Sequence, residues 1–256
     1  MIIERLLHTK PAQYYVNGKK LLSDPHYING ESKNILELTK KPSRTEVINF
    51  LLSLNKEDAT YLEIGVRNPS DNFNKIDAKT KYSVDPGVEF ESNPVDFKMT
   101  SDEFFQKLSK NEILSNDIKF DAIFIDGLHL AEQVDKDIKN ALNFIKEYGF
   151  IVLHDCNPPT EWHARECFSF LHTPAGGSWN GTTWKAFFKA RLNPSLKSCC
   201  IDTDWGVGIL CKSHPIGNNT EATNPFFEYQ VLEDNRKEHL NLIDFETLKE
   251  TLETYK

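Results

Sequence analysis

The chain has 256 residues, 39% hydrophobic and 27% charged, which is enough apolar material for one large α/β domain with a small appendage and argues against wholesale disorder. A formal net charge of −8 argues against general affinity for nucleic acid or anionic membranes. No apolar run approaches a membrane span, the opening residues MIIERLLHTKPAQYY lack an apolar h-region, and the five cysteines (Cys156, Cys167, Cys199, Cys200, Cys211) form no CxxC pair, so reduced thiols in a cytoplasmic protein are expected.

Residues 1–40 mix polar and apolar side chains without a clean period, broken by Pro11, Pro25 and the Asn29-Gly30 turn signal. They read as an N-terminal extension packing on the domain or on a partner subunit. Ser43-Arg44-Thr45-Glu46 has capping-box spacing ahead of Val47, Ile48, Leu51 and Leu52, so a helix begins near Ser43. Ala59 to Ile64 reads as the first strand, ending at Gly65, and Lys81 to Val84 as a second, ending in Asp85-Pro86-Gly87. Val95 to Met99 reads as a third, and Thr100-Ser101-Asp102-Glu103 opens an amphipathic helix to about Leu114.

The chain is organised around Phe120 to Asp155. Asp121 to Ile125 is an apolar run suited to a strand covered on both faces, and it stops at Asp126-Gly127-Leu128-His129. Leu130, Val134, Ile138, Ala141, Leu142 and Ile145 then recur at helical spacing, with Gly149 as the C-cap. Phe150 to Leu153 is a second apolar run, ending in His154-Asp155. Two parallel strands joined by a helix bring their polar ends to one carboxyl edge of the sheet, where open α/β folds bind ligands. Asp126, His129, His154 and Asp155 are therefore expected to converge.

Residues 156–183 read as a long irregular loop or short helices, Thr182 to Leu192 as a helix, and Ser198 to Ile201 and Val207 to Cys211 as two final strands around DTDWG. The domain proper spans 41–212, and 213–256 forms a C-terminal appendage that includes a helix at Phe245 to Leu252.

Glu63 and Gly65 at a strand end fit a ligand approached by backbone, although an ordinary tight turn also explains them. Asp85 stands where nucleotide-binding folds place an acid for ribose hydroxyls, and together the two acids favour an adenosine-type ligand. A carboxylate at Asp126 can hold a hard divalent cation and an imidazole at His129 can remove a proton, which is the chemistry needed to activate a hydroxyl. His154 and Asp155 add two more metal ligands. Trp162, Trp179 and Trp184 lie in or beside the long loop and either receive a sugar ring or staple the loop to the core. Trp205 and the cysteines read as packing residues.

YLEIGV, SVDPG, TSDEFF, FDAIFIDGLH, GFIVLHDCNP and WKAFF with DTDWGVG, in this order, resemble the class I S-adenosylmethionine-dependent methyltransferases, closest to the methyltransferase-24 type that includes bacterial sugar O-methyltransferases. The resemblance covers roughly residues 45–212. It implies a Rossmann-like, mostly parallel seven-stranded sheet with helices on both faces and the last strand antiparallel. It further implies that Glu63, Gly65, Asn68, Asp85, Ser101 and Asp126 bind the cofactor S-adenosylmethionine. His129 is then the general base, and Asp126, His154 and Asp155 hold magnesium or another divalent metal. The loop Gly65-Val66-Arg67-Asn68-Pro69 departs from the usual glycine-rich pattern, and His154 replaces the more usual carboxylate or amide.

The expected function is O-methylation of a sugar hydroxyl, on a small nucleotide-linked, polysaccharide or natural-product sugar, by a chain that is a candidate homo-oligomer. A metal-dependent hydrolase built on DGLH and HD, and a non-catalytic cofactor-binding assembly subunit, are the competing readings.

Overall fold

The computed structural model describes residues 9–54, 58–90, 92 and 94–254. The first eight residues of the N-terminal extension lie outside them. In the rest of the extension the two prolines start helices rather than break the chain. Helices α1 (Lys10–Leu22) and α2 (Pro25–Thr39) each carry proline in the first turn, where no intrahelical N–H is lost. The Asp24 carboxylate caps α2 by accepting from the main-chain N–H groups of His26 and Tyr27. Gly30 is no turn. A Cβ there would lie 2.7 Å from Pro174 Cβ and 2.9 Å from the Trp162 ring, so glycine lets α2 press on the 156–182 loop.

Helix α3 (Arg44–Ser53) begins with the expected capping box of Ser43 and Glu46. Strands β1 (Thr60–Ile64) and β2 (Thr80–Val84) follow, then α4 (Ser101–Ser109), β3 (Phe120–Ile125), α5 (Ala131–Phe144), β4 (Ile145–Leu153), α6 (Thr183–Arg191), β5 (Lys197–Ile201) and β6 (Val207–Cys211). The tail adds α7 (Tyr229–Asp234), α8 (Arg236–Leu240), β7 (Leu242–Ile243) and α9 (Phe245–Glu253). The sheet has seven strands in the order β2-β1-β3-β4-β6-β5-β7. Only β6 runs against the others, inserted between β4 and β5. The Rossmann-like, mostly parallel sheet is thus as expected, and the antiparallel strand is followed by one short edge strand.

Alternation along each strand divides the core between the two faces. Ile123, Ile125, Ile151 and Leu153 pack with Val134, Ile138, Phe104 and Phe187 from α4, α5 and α6. Ala122, Phe124, Phe150 and Val152 pack with Val47, Ile48, Leu51 and Leu248 from α3 and α9. No described helix is long and apolar enough to cross a membrane.

Three local expectations are corrected. Val95 to Met99 is no strand. It makes one bridge, Val84 to Phe97, because the Asp96 carboxylate accepts from Ser83 N–H (2.9 Å) and Oγ (2.7 Å) in place of a continuing ladder. The helix opened by Thr100 stops at Ser109 rather than Leu114. Gly149 caps no helix, since the chain passes directly from Phe144 into β4. Ile145 pairs with Phe120 and Phe150 with Ala122, so residues 146–149 form an inserted bend. A Cβ on Gly149 would lie 2.9 Å from the carbonyl oxygens of Phe120 and Asp121.

Candidate active site

The carboxyl ends of β1, β3 and β4 place Glu63, Asp126 and His154-Asp155 at one edge, and the short loop after β3 turns His129 back over it. The four residues expected to converge do so. His154 Nδ1 lies 3.1 Å from Asp126 Oδ1 and 3.2 Å from Asp155 Oδ2. His129 Nε2 lies 3.4 Å from Asp126 Oδ1, and its Nδ1 lies 3.1 Å from Asp155 Oδ2. His154 and Asp155 are buried, at 7% and 5% exposure, and Asp155 takes a positive φ of 60°. A non-glycine residue in that region is uncommon and collects at functional sites.

Two further residues belong to the cluster. Asp204, in the β5–β6 turn, puts Oδ1 3.1 Å from His154 Nε2. Its Oδ2 accepts the main-chain N–H of Arg44 at 2.7 Å, and the Arg44 guanidinium lies 3.3 Å from Asp204 and 3.8 Å from Asp126. In the sequence Arg44 reads only as part of a capping box and Asp204 only as part of a turn, and nothing in their local pattern says that the topology joins them.

The cluster's charges set its protonation. Burial alone raises the Asp126 carboxyl, but His154, His129 and Arg44 outweigh it and hold it well below the usual range. Burial lowers the His129 imidazole, yet the Asp155 and Asp126 carboxylates push it up to about 9. Burial likewise lowers His154, and Asp155 and Asp126 outweigh it to hold the ring well above its ordinary value.

His129 is held from the loop side as well. Its Nδ1 lies 2.9 Å from the Trp179 carbonyl, and the two rings stack at 5.2 Å. A carbonyl only accepts, so Nδ1 carries the proton and Nε2 is the nitrogen directed at Asp126. The His129 carbonyl accepts from Thr182 N–H at 2.8 Å, and Thr182 Oγ1 accepts from Ala131 N–H at 2.7 Å. A Cβ on Gly181 would collide with the His129 carbonyl. Of the three tryptophans, only Trp179 touches the cluster. Trp184 is a core side chain at 1% exposure, and Trp162 packs on His26 with ring centroids 4.5 Å apart.

The expected cofactor residues fall into different environments. Gly65 has φ 91° and faces the main chain of Asp126 and Gly127, where any Cβ would collide, so glycine is needed for two strand ends to meet. Glu63 is buried, and its Oε2 accepts from Tyr61 Oη at 2.7 Å and Asn72 Nδ2 at 2.9 Å. Burial pushes its carboxyl up to about 7 against those two hydrogen bonds. Asp85 is half-buried at the end of β2, with Oδ1 accepting from Gly87 N–H at 2.6 Å. Asn68 is exposed and closes its own turn by accepting from Ser70 N–H at 3.1 Å. The Ser101 hydroxyl accepts from Gln133 Nε2 at 3.2 Å, which ties the start of α4 to α5.

The donor set suits a divalent cation. Asp126, His154 and Asp155 each offer one ligand atom, all within 4.8 Å of one another. Separations of 3.1 and 3.2 Å from His154 Nδ1 to the two carboxylate oxygens match adjacent ligands on an octahedral ion with bonds of about 2.1 Å. Nδ1 offers either a proton or a lone pair, so the hydrogen bond and a metal bond are alternatives at one atom.

Residues 50–156 match the family model of a methyltransferase domain. The expected resemblance is borne out over that segment. No curated protein matches the chain in sequence. Among solved structures, an O-methyltransferase from Bacillus cereus in complex with SAH is 14% identical with a TM-score of 0.43, covering 78% of this chain and 96% of that one. The SAH-bound methyltransferase PaMTH1 of Podospora anserina is 14% identical with a TM-score of 0.43, covering 80% and 97%. MycE from the mycinamycin biosynthetic pathway, with Mg, SAH and mycinamycin VI, is 14% identical with a TM-score of 0.41, covering 78% of this chain and 57% of that one.

Proposed function

We propose that the chain is an S-adenosylmethionine-dependent O-methyltransferase acting on a hydroxyl of a small sugar or sugar nucleotide. The observation that carries this reading is the His129–Asp126–His154–Asp155 cluster at the carboxyl edge of a sheet whose first four strands lie within a methyltransferase-family match. In this reading Gly65, Glu63, Asn68, Asp85 and Ser101 mark the cofactor side of that edge. The glycine keeps side chains out of the gap between β1 and β3, and Asp85 has a carboxylate oxygen to offer ribose hydroxyls.

S-adenosylmethionine, when bound, would supply the electrophilic methyl group, and a divalent cation held by Asp126, His154 and Asp155 would supply Lewis acidity toward a hydroxyl. His129 takes the hydroxyl proton at Nε2, because Nδ1 is committed to the Trp179 carbonyl. Asp126 and Asp155 face the ring and stabilise the imidazolium that results. The residues around the cluster contribute chiefly by fixing reactants in line. Trp179 stacks on the base and offers the acceptor an aromatic neighbour. Five free cysteines, four of them buried, fit a reducing cytoplasm.

Asp204 brings a third carboxylate to the site, the one observation favouring a metal-dependent hydrolase. It is already engaged by His154 and Arg44, which leaves it poorly placed to activate water. Calorimetric titration with S-adenosylhomocysteine, followed by transfer assays on a panel of methyl glycosides and nucleotide sugars, tests the proposal. Saturable one-site binding and methylation of a panel member support it. No binding, with turnover of generic phosphoesters, would replace it with the hydrolase.

A further inference from the structure

Asp204 has no part in the proton transfer, yet the fold goes to some length to hold it. Asp204, Trp205 and Gly206 take three successive positive φ values of 43°, 64° and 91°. Such a run is costly for a tryptophan, and it persists only where the surroundings impose it. Here the main chain beyond β4 does so. Cys156 N–H donates to the Gly206 carbonyl and Asn157 N–H to the Trp205 carbonyl, both at 2.9 Å. Trp205 N–H donates to Glu37 Oε1 at 2.9 Å. The turn is thereby fastened beside His154, and the Arg44 main-chain N–H at 2.7 Å orients the carboxylate so that its other oxygen meets His154 Nε2 at 3.1 Å.

A carboxylate only accepts, so the Nε2 proton points at Asp204, and the proton that Nδ1 directs at Asp126 and Asp155 is the one a cation would displace. A histidine that donates one ring N–H to a carboxylate presents its other nitrogen as a fixed, more basic metal ligand. An imidazole in a ligand set favours first-row transition ions over magnesium, which prefers oxygen alone. We infer that Asp204 is the positioning residue of a metal centre in which His154 ligates through Nδ1, and that this centre selects a divalent transition ion over magnesium. Arg44 completes the arrangement by holding Asp204 through its main chain and facing both Asp204 and Asp126 with its guanidinium. The inference deepens the proposed transferase site and rests on a cation being part of it.

The test is calorimetry on the full chain with magnesium and with cobalt(II), in the native protein, H154D and D204N. The thermal midpoint serves as the folding control. Binding of S-adenosylhomocysteine is measured in parallel, so that loss of the cofactor reading and loss of the metal preference register separately. The native chain should bind cobalt more tightly than magnesium. In H154D, which converts the set to oxygen alone, that ratio should fall by about tenfold or more. In D204N, cobalt affinity should drop about 10- to 100-fold with a smaller change for magnesium. An equal ratio in native protein and H154D, unchanged cobalt affinity in D204N, or no saturable binding of either ion would overturn the inference. If a variant does not fold, manganese(II) bound to the native chain labelled with 15N-histidine decides. Nitrogen coupling in its electron spin echo spectrum supports ligation by His154, provided it disappears in H154Q, and no coupling overturns it.

Discussion

The main-chain carbonyl of Trp179 lies 2.9 Å from His129 Nδ1, and the indole of the same residue stacks on the imidazole at 5.2 Å. One residue of the long loop thus fixes both which ring nitrogen holds a proton and which way the ring faces. If His129 is the base, His129→Ala should lower transfer to any accepted sugar by about 10²- to 10⁴-fold, the usual worth of a positioned base. S-adenosylhomocysteine affinity should stay near the native value. Single-turnover rates and calorimetry check both, and near-native rates would remove His129 from that role.

The raised His129 value gives a pH dependence with a definite sign. If the neutral ring is the base, transfer should climb with pH, and a cation on Asp126 and Asp155 would offset the charge that holds the metal-free ring up at about 9, moving the midpoint below that value. Stability runs the other way. The contribution of the protonated ring is fully present below its unfolded value near 6.5 and is lost as pH rises through about 9. A rate that falls as pH rises toward about 9 would contradict the assignment.

Glu63 should be a liability above neutrality. Its carboxyl titrates at about 7 in the fold against an ordinary value of 4.5, so the folded protein holds the extra proton across that window and stability falls as pH rises through it. Glu63→Gln keeps an acceptor for Tyr61 and removes the charge. At about pH 8 the variant should be more stable by up to about 3 kcal/mol, with little difference at about pH 4. Urea unfolding at the two pH values measures this.

Gly65→Ala places a Cβ against the main chain of Asp126 and Gly127, at a φ of 91° that alanine tolerates poorly. A loss of about 1–3 kcal/mol is expected from the strain alone. Because the clash bears on Asp126, S-adenosylhomocysteine binding should weaken beyond what the lower thermal midpoint explains.

Asp85→Ala tests the cofactor edge without touching the acid cluster. If Asp85 accepts from ribose hydroxyls, its loss should weaken S-adenosylhomocysteine by about tenfold, with little change in the thermal midpoint. Unchanged affinity would take Asp85 out of the binding site.

Legibility in the sequence followed the range of the forces involved. Strands β3 and β4 and helix α5 announce themselves because burial imposes periodicity on Ile123, Ile125, Val134, Ile138 and Ile151, and the parallel connection then dictates that Asp126 and His154 share an edge. Arg44 and Asp204 were not legible. Each obeys its local rule, as a helix first turn and as a turn residue, and 160 positions separate them until the sheet brings them within 2.7 Å. The N-terminal helices were hidden by Pro11 and Pro25, which end a helix when interior and begin one when first. Gly30 and Gly149 read as punctuation, whereas each marks a close approach by a distant segment.

The fastening of Gly181 and Thr182 to His129 divides the 156–182 loop into parts with different freedom to vary. Its return end is bolted to His129 by the Thr182 hydrogen bond and the Gly181 contact, and Trp179 adds a third attachment. Phe168 backs Trp179, with ring centroids 5.6 Å apart, whereas Phe170 and Leu171 beyond it stand exposed. Substitutions at Phe170 and Leu171 should therefore leave the His129 geometry in place, whereas loss of the Phe168 ring would loosen the indole that fixes it.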